Sequence, residues 1–341
     1  MSNHSEHFHV TSREQGQTLA AAIRRWLGQI SWRDVKSLVL GQHVQVNGNL
    51  CLDEARRLKP GEVVKVYQHP LAKPADEKDV RIRHVDNHLV VVEKPAGMTT
   101  ERHPEEKNWP SRRKQLQPTL DEVLPRLLAK HLGWKIPREA AGSAAAKGRR
   151  TQPAPKLPRI FAVHRLDRDT SGLMVFARTP EASTALIKLF KKHHVTRAYV
   201  AVVHGTPVEQ KIETYLVRDR GDGLRGSSPA GKVAEEAQRA VTHVRLMQTI
   251  GPYSVVECRL ETGRTHQIRI HLAEAGHMLC GEKVYTHKLG EKSQRDESGA
   301  PRQALHAAEL GFVHPITSEP LIWRMQLPQE LADWIRGLAM E

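Results

Sequence analysis

From Ile160 to the last residue, short apolar runs of strand type mix with helical segments, but never in the strict strand–helix–strand rhythm of a doubly wound parallel sheet. Leu173 to Ala177 predicts a strand, and Thr179-Pro180-Glu181 opens a helix with Thr as N-cap and Pro at the first helical position. Ala182, Leu186, Leu189 and His193 mark the inner face of that helix. Arg197 to His204 and Ser254 to Glu261 are further strands. Thr265 is placed to cap a helix with Ile268, Leu272 and Ala275 on one side, closed by Gly276. Residues 305–316 and 320–327 read as two strands around a turn at Ser318-Glu319-Pro320. The mixture predicts an α+β fold.

Upstream, Val80 to Glu93 carries a buried strand, Leu89 to Val92, which ends in Lys94-Pro-Ala-Gly97. Residues 119–133 form an amphipathic helical pattern. The surrounding stretches 101–118 and 140–159 are polar and basic, and Ala141–Arg159 holds no acid. These stretches predict an insertion at about 101–158, and a second polar loop spans about 286–302. Residues 1–11 are expected to be a flexible N-terminus. From Thr18 a small unit emerges. Leu19, Ala22, Ile23, Trp26, Leu27 and Ile30 recur at helical spacing, and Ser31-x-x-Asp34 opens a second helix that a left-handed Gly41 would end. Val44 and Val46 then run into an Asn47-Gly48 hairpin turn. Arg24, Arg25, Arg33, Lys36, Arg56 and Arg57 cluster on this unit and predict a basic binding face, followed by a linker at 71–79.

The charge balance indicates the kind of partner. In 341 residues, 52 Lys and Arg oppose 38 Asp and Glu, a formal net charge of +14 that favours a polyanion such as nucleic acid. No stretch approaches the ~20 apolar residues of a membrane span. Met1 to Val10 has no apolar core, so no secretory signal is expected, and three scattered cysteines point to a reducing cytoplasm. Aromatic residues are 5% of the chain, so the polyanion is gripped by Arg and Lys more than by stacking.

Two segments carry chemistry. In His164-Arg-Leu-Asp167-Arg-Asp-Thr-Ser-Gly172 a carboxylate sits between arginines, which stabilise its ionised form; taken alone, the segment is equally a capped turn. In Glu261-Thr-Gly-Arg264-Thr265-His266-Gln-Ile-Arg269 a strand meets a tight turn and a helix N-terminus, a favourable place for anions. His266 and His271, five apart, are poorly spaced for one metal, and no metal or cofactor is expected. No phosphate-binding loop, dinucleotide fingerprint or GxSxG elbow occurs.

Together with Lys94-Pro-Ala-Gly97, Arg197-Ala-Tyr199 and Leu305-His-Ala-Ala-Glu-Leu310, these segments, in this order, resemble the RluA-type RNA pseudouridine synthases. Residues 12–70 resemble an S4 RNA-binding domain. The resemblance implies a central mixed, mainly antiparallel sheet flanked by helices over residues 80–341, and cofactor-free isomerisation of uridine to pseudouridine. It makes Asp167 the reacting carboxylate, Arg269 its partner through a bidentate pair, and Tyr199 the residue stacked on the base. Leu305 packs beside the uracil, Arg165 fills the space the flipped base leaves, and Arg264 and Thr265 meet backbone phosphate. The family more often has Asp where Glu282 stands. Large-subunit ribosomal RNA or an assembly intermediate is the expected substrate, with tRNA as an alternative, and a monomer without an obligate protein partner is expected. Two other readings remain open at this level: a non-catalytic RNA-binding assembly factor, and a hydrolase with paired carboxylates in which Asp169 is the second acid.

Overall fold

The computed structural model describes residues 5–46, 49–67, 75–102, 106, 114, 117–134, 157–228 and 236–340. The expected Asn47-Gly48 turn, residues 71–74 of the 71–79 linker and nearly all of the basic stretch at 140–159 lie outside them.

The N-terminal unit has two helices, α1 (Leu19–Trp26) and α2 (Trp32–Leu40), capped by the Thr18 and Ser31 hydroxyls. They pack on a sheet of β1 (Ser5–His9), β2 (Val44–Val46), β3 (Asn49–Leu50) and β4 (Val63–Tyr67), in the order β1-β4-β2-β3. Leu19, Ile23, Val35, Val39, Val44 and Val64 form its core. Two expectations are corrected here. The expected flexible terminus contains β1, antiparallel to β4, with Phe8 stacked on Trp26 at 4.8 Å. Gly41 is not left-handed, at φ −75°; the next residue, Gln42, takes that conformation at φ 70°.

The larger unit is built on one eleven-stranded sheet. Its strands are β5 (Arg81–Val85), β6 (Leu89–Lys94), β7 (Phe161–Ala162), β8 (Ser171–Ala177), β9 (Thr196–His204), β10 (Gln210–Val217), β11 (Gly226–Ser227), β12 (Gln238–Ile250), β13 (Tyr253–Leu260), β14 (Leu305–Val313) and β15 (Pro320–Arg324). The main path runs β11-β10-β12-β13-β9-β14-β8-β6-β5. Only β14 with β8 is parallel, so the sheet is mixed and mainly antiparallel, as the resemblance implies. The unbroken apolar run of β6 follows from cover on both faces. Val90 and Val92 join Met174 and Phe176 of β8 and Leu120, Leu124 and Leu128 of α3 (Leu120–His131). Leu89 and Val91 face Ala182 and Leu186 of α4 (Pro180–Lys191). That helix ends at Lys191, so His193 is not on its inner face; it is exposed and left-handed at φ 61°.

The parallel junction sits beside the site. Ser171 and Gly172 pair with His306 and Ala307, and Gly172 has φ +129°. A Cβ there would stand 2.3 Å from the Ala307 carbonyl oxygen, so only glycine lets β8 approach β14 so closely. Helix α5 (Gln267–Glu274) is buried from Gln267 through Ala273. Thr265 does not cap it: the N-cap is His266 in a left-handed conformation (φ 60°), with no side-chain cap bond. Helix α6 (Gln329–Leu338) closes the chain.

Candidate active site

The loop between β7 and β8 carries Asp167 and is fastened from several distant segments. The buried Lys94 ammonium donates to the carbonyls of Pro95 (2.9 Å), Met98 (2.7 Å) and Arg168 (3.0 Å). Burial pulls Lys94 down to about 7, while Asp169 acts against it. Gly97 N–H also donates to Arg168 O, and the Thr100 hydroxyl donates to Leu166 O while accepting from its N–H. On the far side, Arg302 reaches Asp169 O (3.0 Å), the Ser171 hydroxyl (2.7 Å) and Glu330 of α6 (3.0 Å). His164 accepts the Val175 N–H and stacks on Phe190 at 4.5 Å. Burial beside Arg197 drops its pKa to about 3, so it serves as a neutral acceptor that braces the loop. The Lys-Pro-Ala-Gly segment is structural, as its turn residues suggest, but its lysine bonds directly to the residue after Asp167.

Asp167 is half-buried and donates nothing; it accepts from Arg269 Nη1 at 3.1 Å, and His266 Nε2 lies 3.7 Å away. Burial pushes its carboxyl upward, but His266, Arg269 and Arg165 outweigh that and hold it below its ordinary value. It is therefore ionised at neutral pH. The expected bidentate pair between Arg269 and Asp167 is corrected. Arg269 gives its fork to Glu282 instead, Nε to Oε2 at 2.8 Å and Nη2 to Oε1 at 2.7 Å, leaving one bond for Asp167. Glu282 is buried and also accepts the N–H groups of Lys283 and Val284, both at 2.9 Å. One carboxylate thus fixes the guanidinium plane, and the guanidinium offers its remaining edge to the other. Arg269 lies over the Tyr285 ring at 5.1 Å, and the Tyr285 hydroxyl bonds His266 Nδ1 at 2.7 Å. Glu282, His266 and Tyr285 surround the Arg269–Asp167 pair and had no role in the sequence reading. The Gly-Arg-Thr-His-Gln run contained His266, but its left-handed turn shows only in the fold.

Around Asp167 opens a cleft of about 340 Å³, within the ~300–1,000 Å³ of pockets that bind small ligands. Arg165, Tyr199, Arg264, Thr265, Arg269 and Leu305 all line it. Tyr199 is buried on β9, and burial raises its phenol pKa. Leu305 begins β14 at 4% exposure. Arg165 is exposed, without a hydrogen-bond partner among the described residues. Arg264 donates to Arg239 O at 3.1 Å and Thr265 is exposed. Among the described residues lining the cleft, Asp167 is the one acid, amid Arg165, Lys191, Arg197 and Arg264. Asp169 is not a lining residue, so the paired carboxylates of a hydrolase are not brought together.

The basic residues of the N-terminal unit do not all face solvent alike. Arg33 and Lys36 are exposed without a partner among the described residues, and Arg24 lies 5.0 Å over the exposed Trp32 ring. Arg25 pairs with Glu14, Arg56 with Glu62, and Arg57 donates to Gly16 O. Away from the cleft, His204, Cys280 and Asp296 gather donor atoms within 4.8 Å, but His204, Gly281 N–H and Ser298 already occupy the Asp296 carboxylate.

A mixed sheet with an ionised, arginine-held aspartate in a basic cleft defines an enzyme that acts on a nucleic acid. Residues 88–274 match the model of the family described as RNA pseudouridylate synthase, and the chain belongs to that family and is an RNA pseudouridine synthase. It is 33% identical over 334 residues to the ribosomal large subunit pseudouridine synthase D of Zymomonas mobilis, covering 96% of this chain and 95% of that one. It is 30% identical over 343 residues to the protein of the same description from Salmonella typhimurium, covering 96% and 93%. Human RNA pseudouridylate synthase domain containing 4 shares the fold, with a TM-score of 0.54 at 22% identity over 75% of this chain and 92% of that one.

Proposed function

We propose that this enzyme converts uridine to pseudouridine in large-subunit ribosomal RNA, with Asp167 as the reacting carboxylate. The observation that carries the reading is the ionised Asp167 held by Arg269 at 3.1 Å inside a cleft with no second acid among the described residues that line it. The N1–C1′ bond breaks, the uracil turns, and a C5–C1′ bond forms; the C5 proton leaves and N1 gains one, so nothing else is consumed. Attack at C1′, attack at C6 and deprotonation at C2′ all need the same fixed, charged oxygen. The target nucleotide is flipped out of its stack at a cost of a few kcal/mol. Arg165, exposed and without a hydrogen-bond partner among the described residues, fills the vacated space, Tyr199 stacks on the base, and Leu305 packs against it. Arg264 and Thr265 meet phosphate at the turn before α5.

The ribosomal substrate is supported by the relatives that align along nearly the whole chain, which are ribosomal large subunit pseudouridine synthases. Residues 12–70 act as an S4-like RNA-binding domain through Arg33, Lys36 and the Arg24–Trp32 pair, followed by a linker at 71–79 and the catalytic domain at 80–341. The enzyme works as a cytoplasmic monomer. Asp167→Asn keeps the shape of the side chain and removes its charge. It is expected to abolish pseudouridine, read by carbodiimide primer extension across ribosomal RNA. Unchanged modification by that variant refutes the role of Asp167, and loss of sites confined to tRNA on deleting the gene refutes the ribosomal substrate.

A further inference from the structure

Arg197 stands two residues before Tyr199 on β9, so the two side chains leave the strand on one face, and both line the cleft. Arg197 is only 8% exposed and has no carboxylate partner among the described residues. Of its five N–H donors, one on Nη2 reaches the Glu261 carbonyl at 3.0 Å, while the Nε–H is buried without an acceptor. Its guanidinium lies 5.6 Å over the Phe190 ring. A Cβ at Gly263 would stand 2.5 Å from Nη1, so the missing side chain of Gly263 makes room for the fork against the turn. Its charged and titratable neighbours compound the problem: Arg264 is a second cation, His164 is neutral, and Tyr199 is a phenol.

A buried cation with one bond from five donors is costly unless an anion completes it. The substrate of this enzyme brings an anion at every nucleotide. We infer that Arg197 is the receptor for the backbone phosphodiester on one side of the flipped uridine, its fork directed at the non-bridging oxygens. This subsite rests on the cleft being the nucleotide site. Planarity matters here: a guanidinium meets two phosphate oxygens at once, where an ammonium meets them as a point charge.

The test is a cycle between protein and RNA. The full-length enzyme acts on an RNA fragment that it modifies, carrying either the natural phosphodiester or an uncharged methylphosphonate at the linkage 5′ or 3′ of the target uridine. A lost charge-assisted contact is expected to lower wild-type kcat/KM roughly 10- to 100-fold at one of the two linkages. Arg197→Met loses a similar factor on natural RNA and less than twofold more on that methylphosphonate, with Arg197→Lys between. Losses that multiply, or a wild-type enzyme indifferent to both linkages, overturn the inference. Thermal melting accompanies each variant. If Arg197→Met does not fold, the wild-type linkage scan decides, together with Gly263→Ala, which crowds Nη1 and is expected to impair natural RNA only. Pseudouridine formation by Asp167→Asn would instead refute the site reading itself, independently of this cycle.

Discussion

Glu282→Gln is the substitution that most directly probes how Asp167, the proposed reacting carboxylate, is held. The glutamate side chain is 1% exposed, and its Oε2 accepts Arg269 Nε–H at 2.8 Å while Oε1 takes Nη2 and the backbone N–H groups of Lys283, Val284 and Tyr285. A glutamine of the same shape keeps its carbonyl oxygen over the backbone donors, which turns its NH₂ toward Arg269 Nε–H, donor against donor. Breaking a buried ion pair from one side costs about 3–5 kcal/mol of stability. The guanidinium plane is then free to pivot, and the single 3.1 Å bond to Asp167 goes with it. A charge-assisted hydrogen bond of about 1.5–3 kcal/mol, if it is needed in the transition state, corresponds to a fall in kcat of roughly 10- to 100-fold. The pH profile should shift as well. With the Arg269 bond lost, the Asp167 carboxyl rises toward its ordinary value, so the acid limb of kcat moves to higher pH. Glu282→Asp keeps the charge and is expected to recover most of the rate. The assay is tritium release from RNA labelled at uridine C5, under single turnover, with urea unfolding alongside. A variant that loses stability but retains wild-type kcat and pH profile would falsify the positioning role and leave Glu282 a purely structural residue.

Acid should destabilise the fold before it reaches Asp167. His271 and His306 are 1% and 0% exposed, and burial drops each to about 4. An unfolded histidine binds protons near pH 6.5, so stability is complete above that value and declines as pH falls toward 4. The loss is about 2 kcal/mol per residue at pH 5, and equal urea midpoints at pH 7 and pH 5 would count against it. Gly172→Ala drives a Cβ into the Ala307 carbonyl at a positive φ, and is expected to cost about 3 kcal/mol or more, or to prevent folding; a melting temperature within two degrees of wild type contradicts that. RNA affinity should fall steeply with salt, and Arg33→Ala with Lys36→Ala should reduce the log–log slope by about two, whereas an unaltered slope would remove those residues from the RNA interface.

What was legible in the sequence, and what was not, follows from how far apart the cooperating residues lie. Strands β6, β8, β9 and β14 and helices α3 and α4 could be read because each is a local apolar pattern with its own cap or turn. β10 and β12 escaped: β12 is exposed in an irregular order, β10 alternates between half-buried and exposed residues with few apolar ones, and Glu213, Arg239 and His243 put a charge ladder where apolar periodicity would have signalled a strand. β1 escaped because a polar tail acquires order only by pairing with the edge of β4. At the site, the gathering of Asp167, Tyr199, Arg269 and Leu305 around one cleft could be expected because each lies in a short motif that carries the family resemblance. The fastenings of the Asp167 loop were not: Lys94, Thr100, Arg302 and Gln303 come from 66 to 133 residues away and act through backbone carbonyls and hydroxyls, which no side-chain pattern records. Glu282 shows the same limit in one residue. Its departure from the commoner aspartate could be seen, but not that the longer side chain takes the guanidinium fork. That exchange changes the logic of the site: among the described residues Asp167 has one side-chain hydrogen bond, on Oδ2, with His266 Nε2 3.7 Å from Oδ1, and a carboxylate held by a single bond keeps lone pairs free for a substrate atom.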